Sequence, residues 1–241
     1  MNDNTIHIYK FFADYIYKKT GMVYPEKDFY RLDSRITKLQ TEFNCDTIDD
    51  LYEKCKTNIT NEMEMFLIDV CTNNETYFFR DEKPFKALTE ELVPEILKSQ
   101  ATLKIWSCAS STGQEPISIL ISLLEAGVKA HITIDASDIS DQALEKAKSG
   151  IYTGLDVQRG LPIQLMVKYF DSVEDGKWKF KSEFLHKINY TKFNLFTGRY
   201  RLNDYDIVFC RNVLIYQNQE NKQEILNNLS TTLKSHGVLV M

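Results

Sequence analysis

"KIWSCASSTGQEPISIL", residues 104–120, runs from an apolar strand pattern through a cluster of small side chains into a helical pattern. Small residues and a glycine at a strand-to-helix turn let a ligand approach the backbone, and doubly wound parallel sheets bind ligands at that position. The turn is not a G-x-G-x-x-G, and tight packing of strand against helix would also require small residues. The stretch therefore predicts an α/β fold and leaves open whether the turn holds a cofactor.

The composition is that of a globular protein. The chain has 241 residues, of which 43% are hydrophobic and 26% charged, enough to bury a full core. The N-terminus does not resemble a secretion signal, and no run of about 18 apolar residues occurs that could cross a membrane. We therefore expect a cytoplasmic protein without membrane insertion. The formal net charge of -5 gives no general attraction to nucleic acid, so we expect no nucleic-acid partner.

The cysteines and histidines are scattered along the chain. No pair of cysteines forms a C-x-x-C, and no two histidines have the H-E-x-x-H spacing that would place them on one helical face. An odd number of separated cysteines argues against a disulfide framework. The sequence predicts a protein with reduced thiols and no metal site.

The pattern of apolar residues changes near residue 72. Before it, apolar residues recur at helical spacing, and Gly21, Thr47 and Thr60 are suited to end or cap helices. Residues 1–72 are therefore predicted to form a small helical domain, and residues 73–241 a second domain.

A basic stripe lies on the second predicted helix. Arg31, Arg35 and Lys38 fall at i, i+4 and i+7, so they share one side of that helix. From the spacing alone, a solvated face explains these residues at least as well as a binding surface.

After residue 72, strand and helix patterns alternate, which predicts a parallel sheet covered on both faces. Strands are predicted over 102–109, 131–140 and 205–216, and a further one from residue 238. The segment from about 151 to 200 interrupts this alternation. It contains Asp175-Gly176, a hairpin signal, so we predict a small antiparallel β insert over about 170–192.

Asp138 lies at the carboxyl end of the second predicted strand. An acidic side chain at this position can accept hydrogen bonds from the ribose hydroxyls of a nucleoside. Asp138 could equally be the N-cap of the helix that follows, and the sequence alone leaves both interpretations open. Its pairing with the small-residue turn favours a nucleoside site.

Three separated stretches resemble one family. "NNETYFFRDEKPF" (73–85), "WSCASSTGQEPISI" (106–119) and "FCRNVLIYQ" (209–217) are similar to the motifs of the chemotaxis receptor methyltransferases, the CheR family. The resemblance implies a Rossmann-like S-adenosylmethionine-dependent methyltransferase sheet with a small N-terminal all-α domain and a β insert that docks on the receptor. It implies a protein-glutamate O-methyltransferase that releases S-adenosylhomocysteine and acts on the cytoplasmic helical bundle of chemoreceptors. We expect a monomer.

The resemblance also assigns roles to residues. Glu115 would hold the amino group of the cofactor, Asp138 its ribose, and Asn194 and Leu195 its adenine. The remaining positions of the implied cofactor pocket are Asn74, Thr76, Arg80, Arg211 and Asn212. For Arg211, a structural ion pair is an open alternative, because a buried guanidinium without a carboxylate is costly.

For methyl transfer, the resemblance points to Arg80 and Tyr216, although packing would explain Tyr216 equally well. We assign no general base, because a glutamate with a reference pKa of about 4.3 is already ionised at neutral pH. The family uses a basic helix of its N-terminal domain against an acidic receptor surface, so Arg31, Arg35 and Lys38 become the expected substrate-binding residues.

The sequence departs from the family pattern at Gln114, where a glutamate is usual, and in the acidic neighbours of the basic stripe. Family members also continue for two strands beyond the position of Met241, so we expect an incomplete sheet and reduced activity. The alternatives are a non-catalytic or a differently targeted S-adenosylmethionine-binding protein of the same fold.

Overall fold

The computed structural model describes residues 3–241 and begins with a helical domain. Its helices are α1 (Asp3–Thr20), α2 (Tyr30–Glu42), α3 (Ile48–Thr57) and α4 (Asn61–Cys71). The predicted caps are confirmed: Thr47 and Thr60 accept hydrogen bonds from the first turns of α3 and α4, and Gly21 follows α1 with φ +72°. The amphipathic faces of these helices bury one another in a shared apolar core.

A mainly parallel sheet forms the second part of the chain, as the alternating pattern predicted. Its strands are β1 (Thr102–Cys108), β2 (His131–Asp138), β6 (Ile188–Lys192), β7 (Tyr205–Cys210) and β8 (Leu233–Val240), in the spatial order β6-β2-β1-β7-β8. Every neighbouring pair is parallel. Parallel neighbours require crossover connections, and helices supply them.

The helices around the sheet are α5 (Glu82–Ala87), α6 (Val93–Ile96), α7 (Gln114–Glu125), α8 (Asp141–Ser149), α9 (Gly154–Gln158), α10 (Ile163–Tyr169), α11 (Ser182–Leu185) and α12 (Gln219–Thr232). A π-helical turn, Leu88–Leu92, joins α5 to α6. The most deeply buried of them is α7, in which Ile117, Ile119 and Leu120 are fully buried. The predicted C-cap Gly150 follows α8 with φ +64°. None of the helices in residues 3–241 is long and apolar enough to cross a membrane.

The β insert differs from the prediction at both ends. It contains β3 (Ile151–Tyr152), β4 (Phe170–Val173) and β5 (Lys177–Phe180), in the antiparallel order β3-β5-β4, with the predicted turn at Asp175-Gly176. The predicted span of 170–192 is therefore wrong. Ile188–Lys192 instead pairs with β2 in the main sheet, where Ile188 lies opposite the buried Ile134.

Strands β1 and β2 end within two residues of their predicted ends, whereas the boundaries of β7 and β8 differ more. The strand predicted over 205–216 ends at Cys210, because Asn212 has φ +57°, and a 3-10 turn over Leu214–Tyr216 follows. The last strand begins at Leu233 rather than at residue 238, with an irregularity in its pairing with β7 between Tyr205 and Ile207. The early end of β7 turns the following loop toward the helical domain, where the backbone N–H of Val23 donates to the Tyr216 carbonyl at 3.0 Å.

Candidate active site

A large cavity lies between the helical domain and the carboxyl ends of β1, β2 and β7. The empty space inside it, counted together with its open mouth, is about 1030 Å³. All of the residues to which the resemblance assigned cofactor or methyl-transfer roles line it, and their individual roles stay predictions: Asn74, Thr76, Arg80, Glu115, Asp138, Asn194, Leu195, Arg211, Asn212 and Tyr216.

The turn after β1 forms one wall of the cavity. Gly113 has φ +94°, and a side-chain carbon there would lie 2.9 Å from the Tyr190 hydroxyl oxygen, so only glycine fits without displacing its neighbours. Ser110 is 1% exposed, and its side-chain hydroxyl has no hydrogen-bond partner within residues 3–241. A buried hydroxyl without a partner is costly, so Ser110 Oγ is available to a polar group of a ligand. Ser110 was not among the site residues predicted from the sequence, where its only signal was its place in the small-residue cluster.

Asp138, the last residue of β2, joins the loop after β1 to the loop after β2. Its carboxylate accepts the backbone N–H of Ser111 at 2.8 Å and that of Ser140 at 3.0 Å. The N-cap of α8 is Ser140, whose hydroxyl accepts from Ala143, so the N-cap interpretation of Asp138 is wrong. Burial raises the pKa of the Asp138 carboxyl, while these backbone hydrogen bonds favour its ionised form. The side chain lines the cavity and is otherwise buried, with Asp138 6% exposed.

A buried ion pair lies at the floor of the cavity. The Arg211 guanidinium donates to Glu115 at 3.0 Å, to Asp81 at 2.8 Å and to the Arg80 carbonyl at 2.8 Å. Ser107 Oγ donates to the other Glu115 oxygen at 2.8 Å. Burial raises the pKa of Glu115, and Arg211 and Ser107 offset part of that rise. The structural ion pair left open for Arg211 is therefore present, and it holds the interdomain segment against α7.

That interdomain segment forms the wall nearest the helical domain. The Asn74 carbonyl accepts the Ser111 hydroxyl at 2.9 Å, which links the segment to the turn after β1. Arg80 donates to the Glu75 carbonyl at 3.0 Å and is partly exposed at the cavity, as is Thr76. This hydrogen bond holds the Arg80 guanidinium at the cavity. Within residues 3–241, no ion pair joins it to a carboxylate.

The opposite wall comes from the loops after β6 and β7. The Asn194 side chain donates to the Lys19 carbonyl at 2.7 Å and accepts from the Phe196 N–H at 2.9 Å, so it ties its loop to the end of α1. Leu195 and Asn212 also line the cavity, the latter in a left-handed conformation. Tyr216 completes this wall, and its hydroxyl accepts a hydrogen bond from the Asn73 amide at 2.6 Å.

The basic stripe of α2 lies outside the cavity lining. Arg35 donates to the Val70 carbonyl at 3.0 Å, and both Arg31 and Arg35 lie over the Tyr24 ring. Both are partly buried, whereas Lys38 is exposed. Two of the three cations therefore also hold α2 in place, a contact that the helical spacing could not reveal.

Gln114 is the position at which the turn departs from the family pattern. Gln114 is 2% exposed, and its amide oxygen accepts the Thr112 hydroxyl at 2.7 Å. Within residues 3–241, no group of three or more His, Cys, Asp or Glu side chains could hold a metal ion.

Family models and known relatives both match this chain over most of its length. Residues 8–71 match the family model of the CheR methyltransferase all-alpha domain, and residues 74–241 that of the CheR methyltransferase SAM-binding domain. A chemotaxis protein methyltransferase of Vibrio parahaemolyticus is 34% identical over 97% of this chain and 86% of its own length. Chemotaxis protein methyltransferase 1 of Pseudomonas aeruginosa is 34% identical over 97% of this chain and 88% of its own length.

The matches among solved structures include a more distant protein. An S-adenosylmethionine dependent methyltransferase of Mesorhizobium loti aligns with a TM-score of 0.37 and 12% identity, covering 65% of this chain and 50% of its own.

Proposed function

Since this chain belongs to the CheR methyltransferase family, we propose that it transfers methyl groups from S-adenosylmethionine to glutamate side chains of chemoreceptors, in the adaptation step of bacterial chemotaxis. The observation that carries the proposal is the interdomain cavity at which all the implied cofactor and methyl-transfer residues meet. The printed names of relatives that cover nearly the whole chain support the same reaction.

The cavity fits this cofactor by the chemistry of its walls. The buried Ser110 hydroxyl lacks a partner in the described residues, and the Asp138 and Glu115 carboxylates offer acceptors to ribose hydroxyls and to an ammonium group. Asn194 and Leu195 would flank the adenine. When bound, the cofactor supplies a methyl group on a positively charged sulfur, which a carboxylate can attack.

The chain mainly has to align the reacting atoms. A substrate glutamate is ionised well above its reference pKa of about 4.3, so no residue has to remove a proton from it. Closure of the substrate over the cavity, which Arg80 and Tyr216 line, would strip water from that carboxylate and fix its direction of attack. Arg80 would attract the carboxylate, and Tyr216 would shape the space through which the methyl group passes.

Recognition of the receptor would involve α2. Lys38 is exposed, and the partly buried Arg31 and Arg35 extend the same stripe, which suits the acidic surface of a cytoplasmic receptor bundle. Asp33 is two residues from Arg31 and therefore lies on a different side of α2, where its carboxylate accepts a hydrogen bond from the Tyr9 hydroxyl. We further propose that the enzyme works in the cytoplasm as a monomer, with complementary charge as the main attraction.

The test is methyl transfer from S-adenosylmethionine with a labelled methyl group to a purified cytoplasmic fragment of a chemoreceptor. We expect the fragment to carry label, and we expect mild base to release that label as methanol, because carboxyl methyl esters hydrolyse readily. A fragment with alanine at its methyl-accepting glutamates is the matched control and should stay unlabelled. Binding of S-adenosylhomocysteine without labelling of any receptor fragment would contradict the proposal and favour a non-catalytic or differently targeted protein.

A further inference from the structure

Asn73 makes an unusual contact with Tyr216 at the mouth of the cavity. Its side-chain N–H donates to the Tyr216 hydroxyl oxygen at 2.6 Å, across 143 residues of sequence. The other end of the same amide accepts the Glu75 backbone N–H at 3.4 Å. This second contact orients the amide, so the group that faces Tyr216 is the NH₂ donor and not the carbonyl.

The direction of this hydrogen bond has a consequence for the phenol. A tyrosine hydroxyl has one hydrogen to donate and can accept at its oxygen. When Asn73 donates to that oxygen, the phenolic hydrogen must point elsewhere. Tyr216 lines the cavity, so its hydrogen is free to donate into the cavity rather than to its neighbour.

The rest of Tyr216 is held independently of Asn73. Its carbonyl accepts the Val23 N–H at 3.0 Å, and its own N–H donates to the Val213 carbonyl at 3.3 Å. The ring packs against the apolar core of the helical domain. Loss of Asn73 would therefore leave the ring in place and release only the direction of the hydroxyl.

We infer that Asn73 is a positioning residue that directs the Tyr216 O–H toward the substrate glutamate, to donate to the carboxylate oxygen that does not attack the methyl group. One oxygen is then held by the phenol while the other faces the methyl group. This inference rests on the proposed function and adds a residue to which no role in the reaction has been assigned above.

Two substitutions distinguish a residue that directs the Tyr216 O–H from one that only contacts Tyr216. Asn73→Ala removes the donor and lets the phenol rotate. Asn73→Asp has nearly the same shape, but its carboxylate can only accept, so it would draw the phenolic hydrogen away from the cavity. A purely structural role predicts that Asn73→Asp, which keeps a hydrogen bond, is the milder change. Our inference predicts the reverse order.

Methyl transfer to the receptor fragment is the first readout. We expect Asn73→Ala to lower kcat/KM for the fragment by roughly 2- to 12-fold, the equivalent of one net hydrogen bond. Asn73→Asp should lower it further. The affinity for S-adenosylhomocysteine should stay at the wild-type value in both. Asn58→Ala, at an exposed asparagine at the end of α3, is the matched control and should leave kcat/KM unchanged.

The Tyr216→Phe background removes the group on which Asn73 acts. There, Asn73→Ala and Asn73→Asp should have equal activity, whereas simple charge repulsion by the introduced carboxylate would still separate them. The second readout is equilibrium binding of the fragment in the presence of S-adenosylhomocysteine, which involves no turnover and should follow the same order.

An Asn73→Asp variant that is as active as the wild type, or more active than Asn73→Ala, would overturn the inference. So would a difference between the two variants that persists in the Tyr216→Phe background. A wild-type enzyme that labels no fragment would instead refute the proposed function itself.

Discussion

Replacement of Arg211 by methionine tests the buried ion pair at the floor of the cavity. The Arg211 side chain is 4% exposed, and Glu115, its partner at 3.0 Å, is 14% exposed. The partner Asp81 is 60% exposed, so solvent screens that contact and it contributes little. Arg211→Met should therefore lower the free energy of unfolding mainly through Glu115, whose carboxylate would remain buried without its cation. Breaking one side of such a pair costs roughly 3–5 kcal/mol of unfolding free energy.

The effect should depend on pH, because Glu115 can take up a proton. Burial already raises its pKa in the wild type, and loss of the Arg211 cation would raise it further. A carboxyl with a raised pKa binds more protons in the folded than in the unfolded state, so its contribution to stability falls as pH rises. That fall begins near the unfolded pKa of about 4.3 and continues through the raised pKa of the folded state. Arg211→Met should therefore be less destabilised at pH 5 than at pH 8.

Urea unfolding at both pH values measures this. The second variant, Glu115→Gln with Arg211→Met, removes the stranded charge and should be more stable at pH 8 than Arg211→Met alone. Arg199→Met, at an exposed arginine, is the matched control and should change stability by less than about 0.5 kcal/mol. A loss below about 1 kcal/mol for Arg211→Met, the same at both pH values, would refute the reasoning that Glu115 is charged and desolvated in the folded protein.

Three further predictions concern other parts of the site. Asp138→Ala should weaken binding of S-adenosylhomocysteine by roughly 1–3 kcal/mol in calorimetry, and an unchanged dissociation constant would remove Asp138 from the pocket. Gly113→Ala should destabilise the fold by roughly 1–3 kcal/mol, since Gly113 has φ +94° and a crowded Cβ position, whereas Gly127→Ala, with open space around its Cβ, should cost less. Lys38→Glu should weaken binding of a receptor fragment at low salt and have little effect at high salt, and a loss independent of salt would argue against attraction by charge.

Local sequence signals predicted the local structure well. Thr47, Thr60 and Gly150 have the chemistry of helix caps, and each caps the predicted helix, because capping depends on a few neighbouring residues. The strand-turn-helix around Gly113 is likewise encoded within a short stretch.

Local sequence signals did not predict contacts between residues that are far apart in the sequence. Asp81 pairs with Arg211 across 130 residues, and Asn73 with Tyr216 across 143, and no local pattern marks either pair. Ile188–Lys192 was placed in the insert because its sequence does not show which sheet supplies its partner, and register with β2 decides that. For Asp138 the local sequence allowed two roles, a ribose acceptor and a helix N-cap. The structure excludes the second, because Ser140 is the N-cap of α8.

The most direct test of the account is calorimetric titration of the folded 241-residue chain with S-adenosylhomocysteine, the product that cannot turn over. We predict one binding site with a micromolar dissociation constant, weakened by Asp138→Ala and unchanged by Lys38→Glu, which lies outside the cavity. Absence of binding in a sample shown to be folded, or binding that Asp138→Ala does not affect, would contradict the claim that the interdomain cavity holds the methyl donor.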